Sequence, residues 1–176
     1  MTSKMPPFQL HGDRMLKTLA LEEKGTYALV LRCPKKVAVR VGSLGEISID
    51  RGYLVYVGSA FGPGGLAGRL RHHLRRVGRP HWHVDYIRQH TEMLGVWLAS
   101  GSRELEHRWS SEIAALPNAK RPHSGFGSSD CQCDAHLFHM RRSPRGGWFE
   151  PVLLDDSIPG GAEFCRTDRL AKALSP

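Results

Sequence analysis

The sequence predicts an α+β fold in which a small antiparallel or mixed β-sheet is flanked by helices within a single domain. Two observations lead to this prediction. Segments with strand composition lie on both sides of a helical middle section instead of alternating regularly with helices, and that mixed order is typical of α+β domains. A chain of 176 residues also has the usual length of one domain, and it can bury a core without disulfides or zinc.

The first third of the chain contains four segments that favour strands. Residues 26–32 and 53–58 are rich in apolar and β-branched side chains, which predicts two strands. Residues 37–41 and 46–49 alternate apolar with polar side chains, and the sequence Gly-Ser-Leu-Gly at 42–45 separates them. Alternation on both sides of a glycine-containing turn predicts a hairpin.

A helix is predicted after the glycine-rich break at residues 62–65. Leu66, Leu70 and Leu74 recur every four residues, so they should lie on one face and pack into the core. We expect this helix to end at the Gly-Arg-Pro sequence of residues 78–80, since proline cannot continue a helix.

Shorter elements follow in the middle of the chain. We expect a short helix at residues 84–90 and a strand in the apolar run at 93–99. Ser102 is a suitable N-cap for a third helix, which should run to Leu116 because Pro117 follows it.

The last elements are predicted with weaker patterns. Residues 137–140 and 148–154 have the composition of late strands, and residues 168–174 favour one or two helical turns.

The predicted domain spans residues 21–154 and includes a loop at 123–139 that contains cysteines and histidines. Residues 1–20 have little periodicity and are predicted to be a loosely structured lead-in. Residues 155–176 are predicted to form a largely irregular tail outside the domain.

Positive charge is concentrated in one part of the chain. The formal net charge is +8, and the stretch from residue 69 to residue 88 contains six arginines with a single acid, Asp85. The arginines are Arg69, Arg71, Arg75, Arg76, Arg79 and Arg88. Arginine binds phosphate through a planar fork of donors, so the stretch suits a nucleic-acid partner. A solvated helix face on a basic protein would have the same composition.

Membrane and secretory classes are disfavoured by the composition. The chain has no apolar run near the roughly 20 residues that a membrane helix requires. The first twenty residues contain charged side chains and no apolar stretch suited to secretion. We therefore expect a cytoplasmic protein without a membrane partner, in which the four cysteines are thiols or metal ligands and not disulfides.

Two cysteines and two histidines lie within nine residues and form a candidate zinc site. They are Cys131, Cys133, His136 and His139. Zinc takes four such ligands, but the Cys-x-Cys and His-x-x-His spacing is not that of a common zinc finger. The alternative is a Gly-Phe-Gly turn that leads into a buried strand, and the spacing favours that structural role.

Four short motifs occur in a fixed order. Gly25-Thr26-Tyr27 opens the first predicted strand, and Tyr56-Val57-Gly58-Ser59 closes the strand before the helix. Arg69 follows on that helix, and Leu105-Glu106 lies on a later one. In this order the motifs resemble the GIY-YIG nuclease superfamily. The resemblance implies a fold of that type and a hydrolase that cuts phosphodiester bonds in nucleic acid.

One branch of that superfamily resembles the chain over a longer stretch. It is a small Uri-type branch of archaea and bacteria, some of whose members are joined to an endonuclease III-like DNA glycosylase. The chain matches its Tyr-Val-Gly-Ser-Ala segment at 56–60, its Trp-His-x-Asp-Tyr segment at 82–86 and its Gly-Phe-Gly-x-Ser-Asp-Cys-x-Cys-x-x-His-Leu-Phe segment at 125–138. This resemblance implies a DNA substrate and a functional link to a glycosylase and to DNA repair.

The resemblance also implies roles for single residues. Tyr27 would lie beside the attacking water as base or relay, Tyr56 would bind phosphate or water, and Arg69 would neutralise the phosphate. Glu106 would hold one divalent ion, Mg²⁺ or Mn²⁺, which suits a site with few carboxylates. Gly58 would allow the backbone to approach the substrate closely.

Several alternatives remain open at this stage. Glu104 lies on the same predicted helix and is the alternative metal ligand to Glu106. Asp85 is expected either to support the site together with His83 or to cap a helix. The candidate phosphate contacts beside Arg69 are Ser59, His73, Arg71, Arg75 and Arg76. A non-catalytic nucleic-acid-binding module that retains the fold is the alternative function, because binding alone needs only the arginines.

Overall fold

The secondary structure follows the predicted order up to the strand at residues 137–140. A computed structural model of the chain describes residues 21–75, 78–145, 147–153 and 161–175. The strands within these ranges are β1 (Gly25–Cys33), β2 (Val37–Val41), β3 (Gly45–Ile49), β4 (Gly52–Ser59), β5 (Glu92–Ser100), β6 (Leu137–Met140) and β7 (Glu163–Arg166). The helices are α1 (Gly65–Leu74), α2 (His83–Arg88), α3 (Glu104–Ala114), α4 (Glu150–Leu153) and α5 (Thr167–Ala173).

Five strands form one sheet in the order β6-β4-β1-β5-β7, and every neighbouring pair is antiparallel. Strand β1 lies at the centre, and eight of its nine residues are buried because it has a partner strand on each side and helices on both faces. Strands β2 and β3 form the separate hairpin that the alternating pattern predicts. The α+β fold with an antiparallel sheet flanked by helices is thus confirmed.

The two faces of the sheet bury different sets of helices. Successive side chains of a strand point to opposite faces. Leu29 and Leu31 of β1 therefore pack with the hairpin and with α1, α2 and α5. Ala28 and Val30 pack instead with α3 and α4. The central strand thus joins two apolar layers, in which each fully buried large side chain stabilises the fold by about 1.5–3 kcal/mol.

Helix α1 buries the predicted leucine face but ends earlier than its sequence suggests. Leu66 and Leu70 are fully buried, and Leu74 is partly buried against the same cluster. The helix stops at Leu74 because Arg75 is extended, with φ −73° and ψ 145°. The predicted stop at residues 78–80 is therefore several residues too late.

Two local predictions are wrong for identifiable reasons. Helix α3 begins at Glu104 with Arg103 in the N-cap position, because the Ser102 hydroxyl bonds to the Glu104 side chain instead of capping the backbone. A strand was predicted at residues 148–154, but the described part, 148–153, forms none and contains α4 instead. Pro151 explains this difference, because proline lacks the N–H that a strand ladder needs and is tolerated in the first turn of a helix.

The C-terminal segment belongs to the same fold. The sequence places residues 155–176 outside the domain, whereas the described part, 161–175, contains β7 and α5. Strand β7 pairs with β5, and the Thr167 hydroxyl donates to the Met93 carbonyl at 2.7 Å. The predicted helical turns at 168–174 are confirmed as α5, and the missed strand has only four residues. The predicted lead-in, 1–20, lies outside the described residues.

Within the described ranges, no helix has the length and apolar character needed to cross a bilayer.

Candidate active site

A cleft of about 270 Å³ opens at one end of β1 and β4. Side chains and backbone from both sheet faces meet there, because β1 and β4 face α1 on one side and α3 on the other. The cleft is lined by Tyr27, Tyr56, Gly58, Ser59, Arg69, His81, Trp82, His83, Glu106, Gly127, Ser129 and Asp130. The four residues that the motifs single out as catalytic candidates thus share one cavity.

The Tyr27 ring lies across the neighbouring strand at Gly58. The two residues are cross-strand partners in the antiparallel register of β1 and β4. A Cβ atom on residue 58 would lie 2.5 Å from the Tyr27 hydroxyl oxygen and 2.6 Å from its Cζ atom. Glycine at position 58 therefore makes room for the phenol, which differs from the predicted close approach of backbone to substrate.

His73 holds the hydroxyl of Tyr27 from the buried side. The Nε2 atom of His73 lies 2.9 Å from the Tyr27 hydroxyl oxygen, and the two rings are tilted with centroids 5.3 Å apart. His73 is only 1% exposed, so it does not serve as the phosphate contact that its position on the helix suggests. Its role in the structure is to position Tyr27.

The protonation of His73 follows from its surroundings. Burial lowers the pKa of His73 to about 3, so the ring is neutral near physiological pH. A neutral imidazole has one donor and one acceptor nitrogen, and Nδ1 has no partner among the described residues. A buried N–H without an acceptor is rarer than an unpaired acceptor, so the proton belongs on Nε2, which donates to Tyr27. The hydroxyl hydrogen of Tyr27 is then free to point into the cleft.

Both tyrosines are neutral phenols near physiological pH. Burial raises the pKa of Tyr27 well above its ordinary value, the neighbouring Tyr56 raises it further, and Arg69 offsets these effects only in part. Burial likewise raises the pKa of Tyr56. A general base at neutral pH needs a lowered pKa, so the arrangement favours Tyr27 as a group that orients water over Tyr27 as a base.

Arg69 is held over an aromatic ring at the side of the cleft. Its guanidinium carbon lies 4.2 Å from the centroid of the Trp82 ring, a distance typical of cation–π stacking. The His72 ring contacts the same indole edge to face, with centroids 4.4 Å apart. Stacking of this kind restricts the guanidinium in place while leaving its N–H donors available to an anion.

Asp85 is a capping residue and not a partner of His83. Its carboxylate accepts hydrogen bonds from the backbone N–H groups of His81 and Trp82, which lie just before α2, and it contacts Nε2 of His72 at 3.0 Å. His83 instead accepts a hydrogen bond at Nδ1 from the Gly127 N–H, at 3.0 Å. The alternative in which Asp85 caps a helix is therefore the one observed.

Glu106 is the helix carboxylate that reaches the cleft. Burial alone would raise the pKa of Glu106, but the His136 ring and the Ser59 hydroxyl outweigh burial, and the pKa is lowered. The Glu106 Oε1 atom lies 3.3 Å from Nδ1 of His136, at an angle unfavourable for a full hydrogen bond. Ser59 therefore contacts Glu106 in this structure. Glu104 is exposed and does not line the cleft.

The cleft contains the donor atoms that a hard divalent cation requires. The carboxylates of Glu106 and Asp130 and the hydroxyls of Ser59 and Ser129 line it. Mg²⁺ binds oxygen ligands and is commonly held by one or two carboxylates together with water and substrate. These residues therefore fit Mg²⁺ or Mn²⁺.

The other described arginines of the basic stretch do not line the cleft. Arg71 donates from Nε to the Leu174 carbonyl at 3.4 Å, and Arg75 is exposed at the end of α1. Arg88 donates to the backbone oxygen of His73 at 3.0 Å and so caps α1. Arg76 lies outside the described residues. Two arginines of the predicted phosphate-binding surface, Arg71 and Arg88, therefore bond to backbone carbonyls of the protein itself.

A second cluster lies directly behind Glu106. The donor atoms of His107, Cys131, Cys133 and His136 all lie within 4.8 Å of one another. His139, the fourth residue of the predicted zinc site, is not among them, because its Nε2 atom contacts the Arg51 carbonyl at 3.1 Å. The four cysteines of the chain are free.

The alternation of strand residues explains why His139 is excluded. His136 immediately precedes β6, and its carbonyl accepts a hydrogen bond from the Val57 N–H of β4, which continues the pairing of the two strands. His139 is three residues further on, so the two side chains point to opposite faces of the sheet. Only the face of His136 is covered by α3. His107 was missed because it lies 26 residues from Cys133 in the sequence. The cleft has three further lining residues to which the sequence assigned no role: His81, Ser129 and Asp130. Gly127, which was predicted only as part of a Gly-Phe-Gly turn, lines the cleft as well.

The comparisons with known proteins identify a family but no characterised relative. No curated protein and no solved structure matches the chain. A family model described as a domain of unknown function, DUF123, matches residues 26–146, which is more than half of the chain and includes every cleft residue. The protein therefore belongs to the DUF123 family.

Proposed function

We propose that the protein is a metal-dependent endonuclease that hydrolyses phosphodiester bonds in DNA, with a cleft of the GIY-YIG type. The observation that supports this proposal is the convergence of Tyr27, Tyr56, Arg69 and Glu106 in one cleft, although they come from β1, β4, α1 and α3. A module that only bound nucleic acid would need arginines on a surface, and would not require two tyrosines and a carboxylate beside one arginine.

Each residue meets one requirement of phosphodiester hydrolysis. Arg69 binds the phosphate and neutralises the charge that builds up on its oxygens, from a position fixed by the Trp82 ring. The Tyr27 hydroxyl orients the attacking water, since His73 donates to its oxygen and leaves its hydrogen free. Tyr56, with a second neutral hydroxyl in the same cleft, bonds to the phosphate or to that water.

Glu106 would hold the divalent cation, and Asp130 and the two cleft serines offer further oxygen donors in the same cleft. Such an ion would supply stabilisation of the leaving oxygen. The Ser59 hydroxyl and the His136 ring keep Glu106 ionised, because both lower the pKa of its carboxyl.

The decisive experiment compares Glu106→Gln with Glu104→Gln. Both changes remove one negative charge from the same helix, but only Glu106 lines the cleft. Cleavage of labelled single-stranded, duplex, branched and lesion-bearing DNA, and of matched RNA, is measured with Mg²⁺ or Mn²⁺. We expect Glu106→Gln to lower the cleavage rate by about 10²–10³ without weakening DNA binding, and Glu104→Gln to cleave like the wild type.

Tyr27→Phe tests the second element of the proposal in the same assay. It retains the ring that packs against Gly58 and removes only the hydroxyl, so cleavage falls. The variant also leaves Nε2 of the buried His73 without its partner, which costs about 1–3 kcal/mol of stability, so its folding is checked by urea unfolding. If the wild type cleaves none of these substrates with either metal but binds them, the binding-module function replaces the nuclease. If Glu106→Gln cleaves like the wild type, Glu106 is not the metal ligand.

A further inference from the structure

The cluster behind Glu106 brings together four metal-binding side chains from separate parts of the chain. His107 lies on α3, Cys131 and Cys133 lie in the loop that precedes β6, and His136 immediately precedes that strand. The Nδ1 atom of His107 is 3.2 Å from Sγ of Cys133, and Nε2 of His136 is 3.5 Å from Sγ of Cys131. Two separate imidazole–thiol hydrogen bonds would explain each pair, but they would not explain why all four donor atoms lie within 4.8 Å of one another.

Two of the six distances among these donor atoms are close to the edge of a tetrahedron around zinc, and the others are within 4.8 Å. With Zn–S bonds of about 2.3 Å and Zn–N bonds of about 2.0–2.1 Å, tetrahedral angles place nitrogen and sulfur ligands about 3.5 Å apart. The two nitrogen–sulfur distances, 3.5 and 3.2 Å, are close to that value. Two thiolates and two imidazoles also form a donor set that selects zinc over Mg²⁺ or Ca²⁺.

The surroundings of His136 supply a second, independent observation. His136 is 2% exposed, and its Nδ1 atom has no full hydrogen bond although it lies 3.3 Å from the Glu106 carboxylate. Histidines that bind zinc through one nitrogen usually direct the other towards a carboxylate, which sets the tautomer and the orientation of the ring. Such a pair leaves Nε2 of His136 unprotonated and directed at the cysteines.

We propose that His107, Cys131, Cys133 and His136 bind one zinc ion that fastens the loop at residues 125–136 to helix α3. The ion is structural, because all four positions are filled by protein ligands. The two thiolates balance its charge, so the site is neutral and suits a partly buried position. The proposal does not depend on the cleavage reaction, since its test measures metal binding.

The zinc ion would also shape the wall of the cleft. The loop folds back on itself through hydrogen bonds from Gly125 N–H to the Asp134 carbonyl and from His136 N–H to the Phe126 carbonyl, at 2.6 and 2.8 Å. Between these anchors it carries Gly127, Ser129 and Asp130 into the cleft. Fastening its far end to α3 sets the position of these residues relative to Glu106.

The test begins with the zinc content of protein purified without chelator and without a polyhistidine tag. We expect close to one zinc per chain, and a fall to background in His107→Ala and Cys133→Ser. His107 is exposed, so its replacement leaves the fold intact even if Cys133→Ser does not fold. The matched controls are the exposed His90→Ala and the core Cys165→Ala, both of which should retain zinc. His139→Gln should retain it as well.

Cobalt substitution identifies the ligands directly. Co²⁺ added to the zinc-free protein should give the visible bands of tetrahedral cobalt with a thiolate charge-transfer band, and Cys133→Ser should weaken that band. Glu106→Gln should lower zinc affinity by about 10–100-fold in competition with a chromophoric chelator, whereas Glu104→Gln should not change it.

Three results would overturn the proposal. The first is a wild-type protein that binds neither zinc nor cobalt in stoichiometric amount. The second is a disulfide between Cys131 and Cys133 in freshly purified protein, detected as a loss of two mass units. The third is zinc that persists in His107→Ala but is lost in His139→Gln, which would assign the fourth ligand to His139.

Discussion

Replacement of Gly58 by alanine tests whether the position of the Tyr27 hydroxyl matters. The added methyl group would lie 2.5 Å from the hydroxyl oxygen, while ordinary van der Waals contact begins at 3.4 Å. The phenol therefore has to retreat by about 0.9 Å, the difference between these two distances. The retreat also disturbs the 2.9 Å hydrogen bond to His73, because the imidazole is buried and cannot follow freely.

The expected magnitudes follow from that displacement. Inserting a methyl group into a filled interior typically costs about 1–3 kcal/mol of folding free energy, since neighbouring side chains leave their preferred positions. A reacting group displaced by about 1 Å can lose roughly 10² in rate. We expect Gly58→Ala to show both effects, a lower free energy of unfolding and cleavage about 10²-fold slower than that of the wild type.

Equilibrium urea unfolding and the cleavage assay measure these two effects separately. Gly62→Ala is the matched control, because a Cβ atom at position 62 meets no other atom within 4 Å. If Gly58→Ala unfolds at the same urea concentration as Gly62→Ala, the close packing of Tyr27 on β4 is disproved. If it is less stable but cleaves at the wild-type rate, the position of the Tyr27 hydroxyl has no part in cleavage.

Three further predictions concern charge and pH. Arg69→Ala should weaken DNA binding and slow cleavage by about 10²–10³, and single-turnover kinetics separates the effect on binding from the effect on the rate. The control Arg71→Ala loses a contact with the Leu174 carbonyl and should leave the cleavage rate unchanged. Affinity for duplex DNA should fall steeply with salt, with a log–log slope of about −0.9 per neutralised phosphate, and filter binding that shows no salt dependence would refute a phosphate footprint. The pKa of His73 is about 3 in the folded protein against 6.5 ordinarily, so its contribution to stability is complete above pH 6.5 and is lost as the pH falls towards 3. Urea unfolding at neutral and acidic pH should show that the free energy of unfolding falls less on acidification in His73→Gln than in the wild type.

Local sequence patterns predicted most of the fold. Alternation in the hairpin, the leucine spacing of α1 and the β-branched runs of β1 and β4 depend on neighbouring residues, and each is confirmed. Strand β7 was missed because its four residues are ordered mainly by pairing with β5, a contact between distant segments. The early end of α1 and the helical turn at Pro151 show that single residues decide where elements stop.

The candidate site was predictable in part. The order of the motifs pointed to Tyr27, Tyr56, Arg69 and Glu106, which the structure brings into one cleft. The role of His73 was not predictable, because a helix position four residues from Arg69 suggests a shared surface, whereas the ring is buried against Tyr27. Sequence spacing predicts which residues share a helix face, but it does not predict how deeply each side chain on that face is buried.

The metal cluster shows where more could have been inferred. If the strand predicted at residues 137–140 is extended by one residue to His136, alternation separates His136 from His139, so only one of the two can join the cysteines. The missing ligand then has to come from another element. His107, next to the cleft carboxylate on α3, is identified only when the helix is packed against the loop.

Glu106 is the residue where these two sites meet. Its neighbour in the chain, His107, belongs to the metal cluster, while its own carboxylate faces Ser59 in the cleft and His136 in the cluster. A carboxylate has two oxygens, so one can orient His136 while the other remains available to a cation in the cleft. Loss of cleavage in Glu106→Gln therefore has two possible origins. A cleavage assay of Glu106→Gln in excess zinc separates the two origins, because excess zinc refills the cluster. If the rate stays low under that condition, Glu106 acts directly in the cleft. Zinc binding and phosphodiester chemistry are thus independent proposals that share one side chain.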